Sequence, residues 1–140
     1  MLNQSGRSHC GGCPLARTST LPVSDRKTVI EHLKRRVHRF VEDRKWGKYH
    51  NPKDLAAAIA IEASELLDLF KWRNDTSTRR AMEDSDFREA VSDELADVLI
   101  YCLTFADTFG IDVSNSVIKK IDKNSVKYPV SRYKGKIRSE

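Results

Sequence analysis

The sequence predicts an all-α protein, a helical bundle of four main helices. Its 140 residues include only 6 Gly and 4 Pro, with 32% charged and 39% apolar residues, a balance typical of a soluble helical domain. Apolar residues recur at three- and four-residue steps in four segments, which is the periodicity of amphipathic helices. Capping residues precede these segments. The length suits one domain that buries a continuous core.

The first two helices are predicted on either side of a turn that ends at Asn51. The first runs from Ser24, its cap, to about Trp46, with an apolar face formed by Ile30, Leu33, Val37, Phe40 and Val41. Asn51 followed by Pro52 is a typical N-cap and first turn, so a second helix begins there. We expect it to reach about Arg73, before a polar connector over residues 74–78.

The third and fourth helices are predicted after a short helical turn over residues 79–84. Ser85 is the expected cap of the third helix, which ends at Gly110. Between residues 95 and 106 it is apolar on nearly all sides, so more than one neighbour should enclose it, with Cys102 buried as a small apolar residue. Asp112 should cap the fourth helix, which reaches about Tyr128 and is stopped by Pro129.

Composition divides the chain into three parts. Residues 1–22 are predicted to be a flexible lead-in whose role is left open, residues 23–130 the helical domain, and residues 131–140 a basic tail. The net charge is +5, and the excess includes Arg132, Lys134, Lys136 and Arg138. Such a tail is usually solvated, but it could steer a triphosphate or a nucleic acid, and charge does not distinguish these partners.

No membrane or disulfide chemistry is expected. No run approaches the roughly 20 apolar residues of a membrane span, and the N-terminus lacks a secretory signal, so a cytoplasmic location is predicted. Three cysteines do not form a disulfide framework. His9, Cys10 and Cys13 resemble half of a zinc knuckle, but no second Cys/His pair follows at ligand spacing, which argues against zinc.

Four carboxylates stand on helix faces that should be apolar. Glu62 and Glu65 share the stripe of Ile59 and Leu66, and Glu94 and Asp97 repeat the arrangement on the third helix. A single Glu-x-x-Glu is usually a solvated helix edge. Drawing two such pairs of carboxylates into an apolar interior would cost on the order of several kcal/mol unless their charge were neutralised. A divalent cation would neutralise them.

Oxygen ligands alone favour magnesium, with manganese as the alternative, and a phosphate ester as the natural partner of the ion. A di-iron centre is the competing metal site, but helical di-iron proteins use Glu-x-x-His. None of the four histidines stands three residues after a glutamate. We therefore set redox iron aside.

The spacing of these acids resembles that of a known family. Glu62-x-x-Glu65, a spacer over residues 66–93, and Glu94-x-x-Asp97 look like the signature of MazG-type all-α nucleoside triphosphate pyrophosphohydrolases. Further stretches resemble the single-domain, dCTP pyrophosphatase-like branch: Trp46, His50-Asn51-Pro52, Phe70-Lys71-Trp72, residues 97–101 and Lys123-Asn124-x-x-Lys127-Tyr128-Pro129. The resemblance covers about residues 25–130. Val37 departs from relatives with His there, which concerns substrate choice rather than metal binding.

The resemblance implies hydrolysis of deoxynucleoside triphosphates between the α- and β-phosphates, with dCTP favoured. Water would be the nucleophile, and the products would be a monophosphate and pyrophosphate. Glu62, Glu65, Glu94 and Asp97 would bind magnesium, and either Glu62 or Glu65 would act as the catalytic base. The sequence does not decide between these two.

Substrate-binding candidates follow from the same comparison and from side-chain chemistry. Lys123 and Lys127, with Asn124, can share one helix face and bind phosphates, although basic residues at a helix end are often merely favoured by its dipole. The base needs a flat apolar surface, and the available aromatic residues, most of which would ordinarily be core, are Phe40, Trp46, Trp72, Tyr101 and Tyr128. His50 could bond the base or sugar, or simply belong to the loop.

A homodimer or dimer of dimers is predicted to complete the bundle. The family resemblance implies a pocket that is shared between chains, and the apolarity of the third helix supports association independently. The first alternative is a regulatory module that binds a nucleotide or metal without turnover. The second is a basic nucleic-acid binder, which the acidic pairs do not favour. The preferred base and sugar, the number of ions and the biological purpose are left open.

Overall fold

The computed structural model describes residues 23–136 and is built from helices. They are α1 (Ile30–Asp43), a 3-10 turn (Gly47–Tyr49), α2 (Pro52–Asp68), α3 (Asp75–Ala81), α4 (Ser85–Thr108), α5 (Val113–Lys127) and α6 (Val130–Tyr133). No strand occurs within these residues. The predicted all-α class is confirmed, and the four longest helices are the four that the periodicity indicated.

Local side-chain caps begin most of these helices. The Asn51 side chain accepts a hydrogen bond from the Asp54 amide at 2.9 Å, and Asp112 accepts one from Asn115 at 2.9 Å, as predicted. The predicted cap Ser85 is wrong. Asp84 takes that position, since its backbone is extended and its carboxylate accepts from the Phe87 amide.

The first helix is shorter at both ends than predicted. The Ser24 carbonyl accepts from the amides of Lys27 and Thr28, which closes one isolated turn, and the helix begins only at Ile30. It ends before Trp46 because Lys45 has φ of 53°. The Trp46 amide then bonds to the Val41 carbonyl, and Lys45 to Glu42, which is a Schellman ending with a lysine in the left-handed position.

The region between α2 and α4 also differs from the prediction. Helix α2 ends at Asp68 rather than Arg73, and the chain continues in turns to Trp72, whose φ is 63°. The predicted connector over residues 74–78 lies largely in α3, which Asn74 caps by accepting from the Ser77 amide at 2.8 Å. After Pro129, the segment predicted as a basic tail begins with the short helix α6.

Helix α4 is the centre of the packing, since α2 and α1 both lie against it. Leu55 of α2 and Leu103 and Ala106 of α4 are buried, and the buried Thr104 hydroxyl donates to the Ile100 carbonyl at 2.8 Å. Two neighbours therefore contact α4, but they do not enclose it. Leu99 remains 52% exposed, and Cys102 is exposed, which corrects the prediction that its thiol is buried.

Helix α5 keeps its apolar face largely uncovered: Val117, Ile118 and Ile121 are each between 51% and 60% exposed. Within residues 23–136, no helix combines the length and apolarity needed to cross a membrane. The predicted lead-in with its histidine and two cysteines lies outside the described residues, as does Arg138.

Candidate metal and nucleotide site

Three of the four predicted carboxylates converge where α2 packs against α4. Each of Glu62, Glu65 and Glu94 offers one oxygen, and these oxygens all lie within 4.8 Å of one another. The three-residue step on α2 places Glu62 and Glu65 on one side of that helix, and the packing of the two helices brings Glu94 to them. Glu62 and Glu94 are half-buried, whereas Glu65 is exposed.

Asp97 stands beside this carboxylate cluster rather than within it. It follows Glu94 by one turn of α4 and is exposed. Its charge nevertheless acts on Glu62.

The electrostatics of the carboxylate cluster are concentrated on Glu62. Partial burial raises the pKa of Glu62, and the neighbouring charges of Glu65, Asp97 and Glu94 raise it further. Each cause disfavours the ionised form of Glu62. A bound cation would reverse the balance, because it would be attracted by the same charges that now repel one another.

The donor set suits a hard divalent cation. Carboxylate oxygens are the ligands that magnesium and manganese prefer, and three of them leave positions in an octahedral shell for water and phosphate oxygens. The cluster contains no sulfur or imidazole ligand that would favour zinc or copper. The three acidic residues can therefore hold a metal ion.

An aromatic group lies at the end of α1. The rings of Phe40 and Trp46 meet edge to face, with centroids 5.7 Å apart. The Arg44 guanidinium stands 3.6 Å from the Phe40 centroid and donates to the Phe40 carbonyl at 3.0 Å. Both rings are close to half exposed. Arg44 was not singled out by the sequence, because its placement depends on the Schellman ending that folds Trp46 back.

The second predicted tryptophan is presented to solvent. Trp72 is 97% exposed. The adjacent residues are held in place: Phe70 meets Phe87 of α4 edge to face at 5.7 Å, and the Arg73 guanidinium stands 4.8 Å from the same Phe87 ring. The backbone beside Trp72 is thus anchored while its ring is free to stack on a ligand or another chain.

His50 lines a cavity of about 220 Å³ beside α1 and the C-terminal part of α4. The other lining residues are Val37, His38, Val41, Thr104, Asp107 and Thr108. Here His38 Nδ1 lies 2.8 Å from Asp107 Oδ2. Sequence reasoning missed this pair. Tyr101, the remaining aromatic candidate on α4, is half-buried one turn after Asp97.

The candidates at the end of α5 form a separate group. The Lys127 ammonium lies 5.1 Å from the Tyr128 ring centroid, and Tyr128 meets Tyr133 of α6 edge to face at 5.2 Å. A hydrogen bond with Tyr128 raises the pKa of Lys127. Asn124 is half-buried and Lys123 exposed. In one chain, Lys127 is therefore engaged with tyrosines rather than with the carboxylate cluster.

The all-α fold with a carboxylate cluster between two packed helices places the chain in the class of helical proteins whose acidic side chains can hold a cation. The chain belongs to one family of that class, the MazG-like family, whose model matches residues 57–137. This agrees with the resemblance drawn from the acidic motifs.

Individual relatives support the same assignment. The chain is 32% identical to dCTP pyrophosphatase 1 of Rattus norvegicus over 136 residues, which is 96% of this chain and 80% of the relative. It is 32% identical to dCTP pyrophosphatase 1 of Homo sapiens over 123 residues, covering 88% of this chain and 72% of the relative. Among solved structures, a pyrophosphatase from Archaeoglobus fulgidus aligns with TM-score 0.68 at 37% identity, covering 77% of this chain and 99% of that chain.

Proposed function

We propose that the protein is a magnesium-dependent pyrophosphohydrolase of deoxynucleoside triphosphates, with dCTP as a preferred substrate. It cleaves between the α- and β-phosphates and releases a monophosphate and pyrophosphate. The observation that carries this proposal is the convergence of Glu62, Glu65 and Glu94 within 4.8 Å across two helices. The relatives named as dCTP pyrophosphatases support the choice of substrate.

The carboxylates have two roles in the proposed reaction. Glu65, Glu94 and Asp97, with Glu62, would hold the ion, which would supply positive charge to offset the triphosphate and lower the pKa of water. Glu62 is our choice for the base, because it is half-buried and the charges of the other three acids all act on it. It accepts the proton of the attacking water, while Glu65 is the alternative base.

Substrate positioning is assigned to the aromatic and basic groups. Trp46, Phe40 and Trp72 offer exposed rings for stacking on a base, and His50 and Tyr101 offer polar atoms nearer the helices. Lys123, Asn124, Lys127 and Tyr128 are assigned to the phosphates as charged or polar donors. Since Lys127 contacts tyrosines of its own chain, we propose that this group serves the pocket of a second copy.

We also propose a homodimer or dimer of dimers, which the uncovered apolar faces support. Leu99 on α4 and Val117, Ile118 and Ile121 on α5 are all more than half exposed in the single chain. Monomeric proteins rarely leave such a face unpaired. Light scattering at micromolar concentration should give at least twice the chain mass. Ile118→Glu should lower this mass, to one chain if the assembly is a dimer and to two if it is a dimer of dimers. A monomeric wild type would contradict this part of the proposal.

Turnover is tested by incubating the protein with dCTP, dTTP, dATP and dGTP in magnesium and measuring monophosphate and pyrophosphate together. Equal amounts of the two products indicate cleavage between the α- and β-phosphates, whereas phosphate release would contradict it. Glu62→Gln should reduce kcat by about a hundredfold or more, as expected for loss of a general base. Glu89→Gln, an equal loss of charge at an exposed position on α4, should retain activity. Binding without product would support the regulatory alternative.

A further inference from the structure

The cavity beside α1 has polar groups that the proposed chemistry does not use. Its apolar walls are Val37 and Val41, and its polar lining includes Asp107 and Thr108. The carboxylate cluster accounts for metal and water, but it gives no means of distinguishing one base from another. The cavity volume of about 220 Å³ is below that of a typical small-molecule pocket, so only a part of a ligand, such as one ring, would enter it.

Asp107 presents an unused hydrogen-bond acceptor at this cavity. Its Oδ2 contacts His38 Nδ1 at 2.8 Å, while Oδ1 has no hydrogen-bond donor among residues 23–136. The side chain is 30% exposed, so it is sheltered but reachable. Asp107 also lies in the last turn of α4, where a negative charge opposes the helix dipole. An acid kept at an unfavourable helix position is a candidate for a binding role.

The cavity is at a suitable distance from the carboxylate cluster. Thr104 and Thr108 follow Asp97 by seven and eleven residues, which is close to two and three turns, so all three lie on the same side of α4. At the helical rise, the separation along α4 is roughly 10 to 17 Å. A nucleotide with its phosphates at the carboxylates would extend along α4 and carry its base towards the cavity.

We propose that Asp107 determines base specificity by accepting a hydrogen bond from an exocyclic amino group, such as the 4-amino group of cytosine. This inference rests on the proposed function. A carboxylate only accepts hydrogen bonds, and cytosine and adenine present an amino group where uracil, thymine and guanine present a carbonyl oxygen. At this position Asp107 therefore attracts the amino group and repels the carbonyl oxygen. His38 is a positioning residue that orients the carboxylate.

The test compares dCTP with dUTP, which differ in the group at C4 and in the proton on N3. Wild-type kcat/KM should favour dCTP. Asp107→Asn should lower the dCTP-to-dUTP ratio by about 10- to 100-fold, the range for a hydrogen bond to a charged group, because the amide can donate to the uracil oxygen. Asp43→Asn is the matched control, since Asp43 is an exposed carboxylate in the last turn of α1. Its ratio should equal that of the wild type.

The positioning role of His38 has its own test. His38→Ala should lower the same ratio, and His38→Gln should restore much of it, because the glutamine amide can still donate to Asp107. These two His38 variants also test the proposal if Asp107→Asn does not fold. A merely structural role would change the melting temperature and both kcat/KM values together while leaving the ratio constant.

Three results would overturn the inference: a wild type that prefers dUTP, an unchanged ratio in Asp107→Asn, or the same change in Asp43→Asn. Absence of product from every nucleotide is a different outcome, which refutes the proposed function. Dissociation constants for dCTP and dUTP in magnesium then decide the role of Asp107, since its preference for an amino group would persist without turnover. Equal affinities for the two nucleotides would exclude it.

Discussion

Removing one charge from the carboxylate cluster should have opposite effects on stability without and with a cation. Glu94→Gln preserves the shape of the side chain and removes its repulsion with Glu62 and Glu65. At separations up to 4.8 Å, each pair repels by about 0.9 kcal/mol in a solvent of dielectric constant near 80. Salt screens these partly exposed groups, so we expect a net gain of about 1 kcal/mol for the cation-free protein.

Magnesium should reverse this order. A ligand at one hundred times its dissociation constant stabilises a folded protein by about 2.7 kcal/mol. The wild type gains this stabilisation from three converging carboxylates, while Glu94→Gln loses one ligand and binds the ion more weakly. The variant should therefore melt about 3 to 5 °C above the wild type in a chelator and below it in saturating magnesium.

Differential scanning calorimetry in EDTA and over a magnesium titration measures both effects. Glu89→Gln is the control, because it removes a charge from an exposed position on the same helix. Its melting temperature should shift equally with the wild type at every magnesium concentration. A Glu94→Gln protein that is destabilised in EDTA, or that responds to magnesium as the wild type does, would refute the reasoning that these oxygens form a shared cation site.

Three further predictions concern neighbouring features. In EDTA, the stability difference between wild type and Glu62→Gln should depend on pH, because the pKa of Glu62 is higher in the folded protein than in the unfolded chain. The stabilisation of the wild type by the protonated Glu62 is complete below about pH 4.5 and is lost as the pH rises through the folded-state pKa. A stability difference that changes in the opposite direction with pH would contradict this prediction. Trp72→Ala should raise KM for dCTP about tenfold by loss of stacking. The melting temperature of Trp72→Ala should equal that of the wild type, because the ring is exposed. A lower melting temperature with an unchanged KM would indicate a structural role for Trp72. Asn51→Ala should cost about 1 kcal/mol in thermal unfolding by loss of the α2 cap, with kcat retained.

Helix starts could be predicted where the signal is local. Asn51 and Asp112 each bond to an amide three residues later, so the capping residue and its partner are visible in a short stretch of sequence. Helix ends were harder to predict from the sequence. Lys45 and Trp72 adopt positive φ without being glycine, and no residue at those positions predicts it. The chain enters these conformations because of the hydrogen bonds and ring contacts around them.

The same distinction between local and long-range signals applies to the residues of the candidate site. The acids could be recognised because they interrupt apolar stripes on two helices, and this conflict is visible in each helix separately. The pair of His38 and Asp107 could not, since 69 residues separate them and their contact depends on how α1 packs against α4. Periodicity assigns a residue to a helix face, but it does not give the partner that the face meets.

In the proposed reaction, helix α4 would connect the groups that bind the phosphates with those that bind the base. Its 24 residues span about 36 Å, and one rigid element carries Glu94, Tyr101 and Asp107 at fixed separations. The carboxylate cluster near its middle suits phosphates, and the cavity near its end suits a base. Because the helix fixes the distance between them, a nucleotide bound at both places holds its reacting phosphate in one position. Base selection at Asp107 would then act on the rate of hydrolysis as well as on binding.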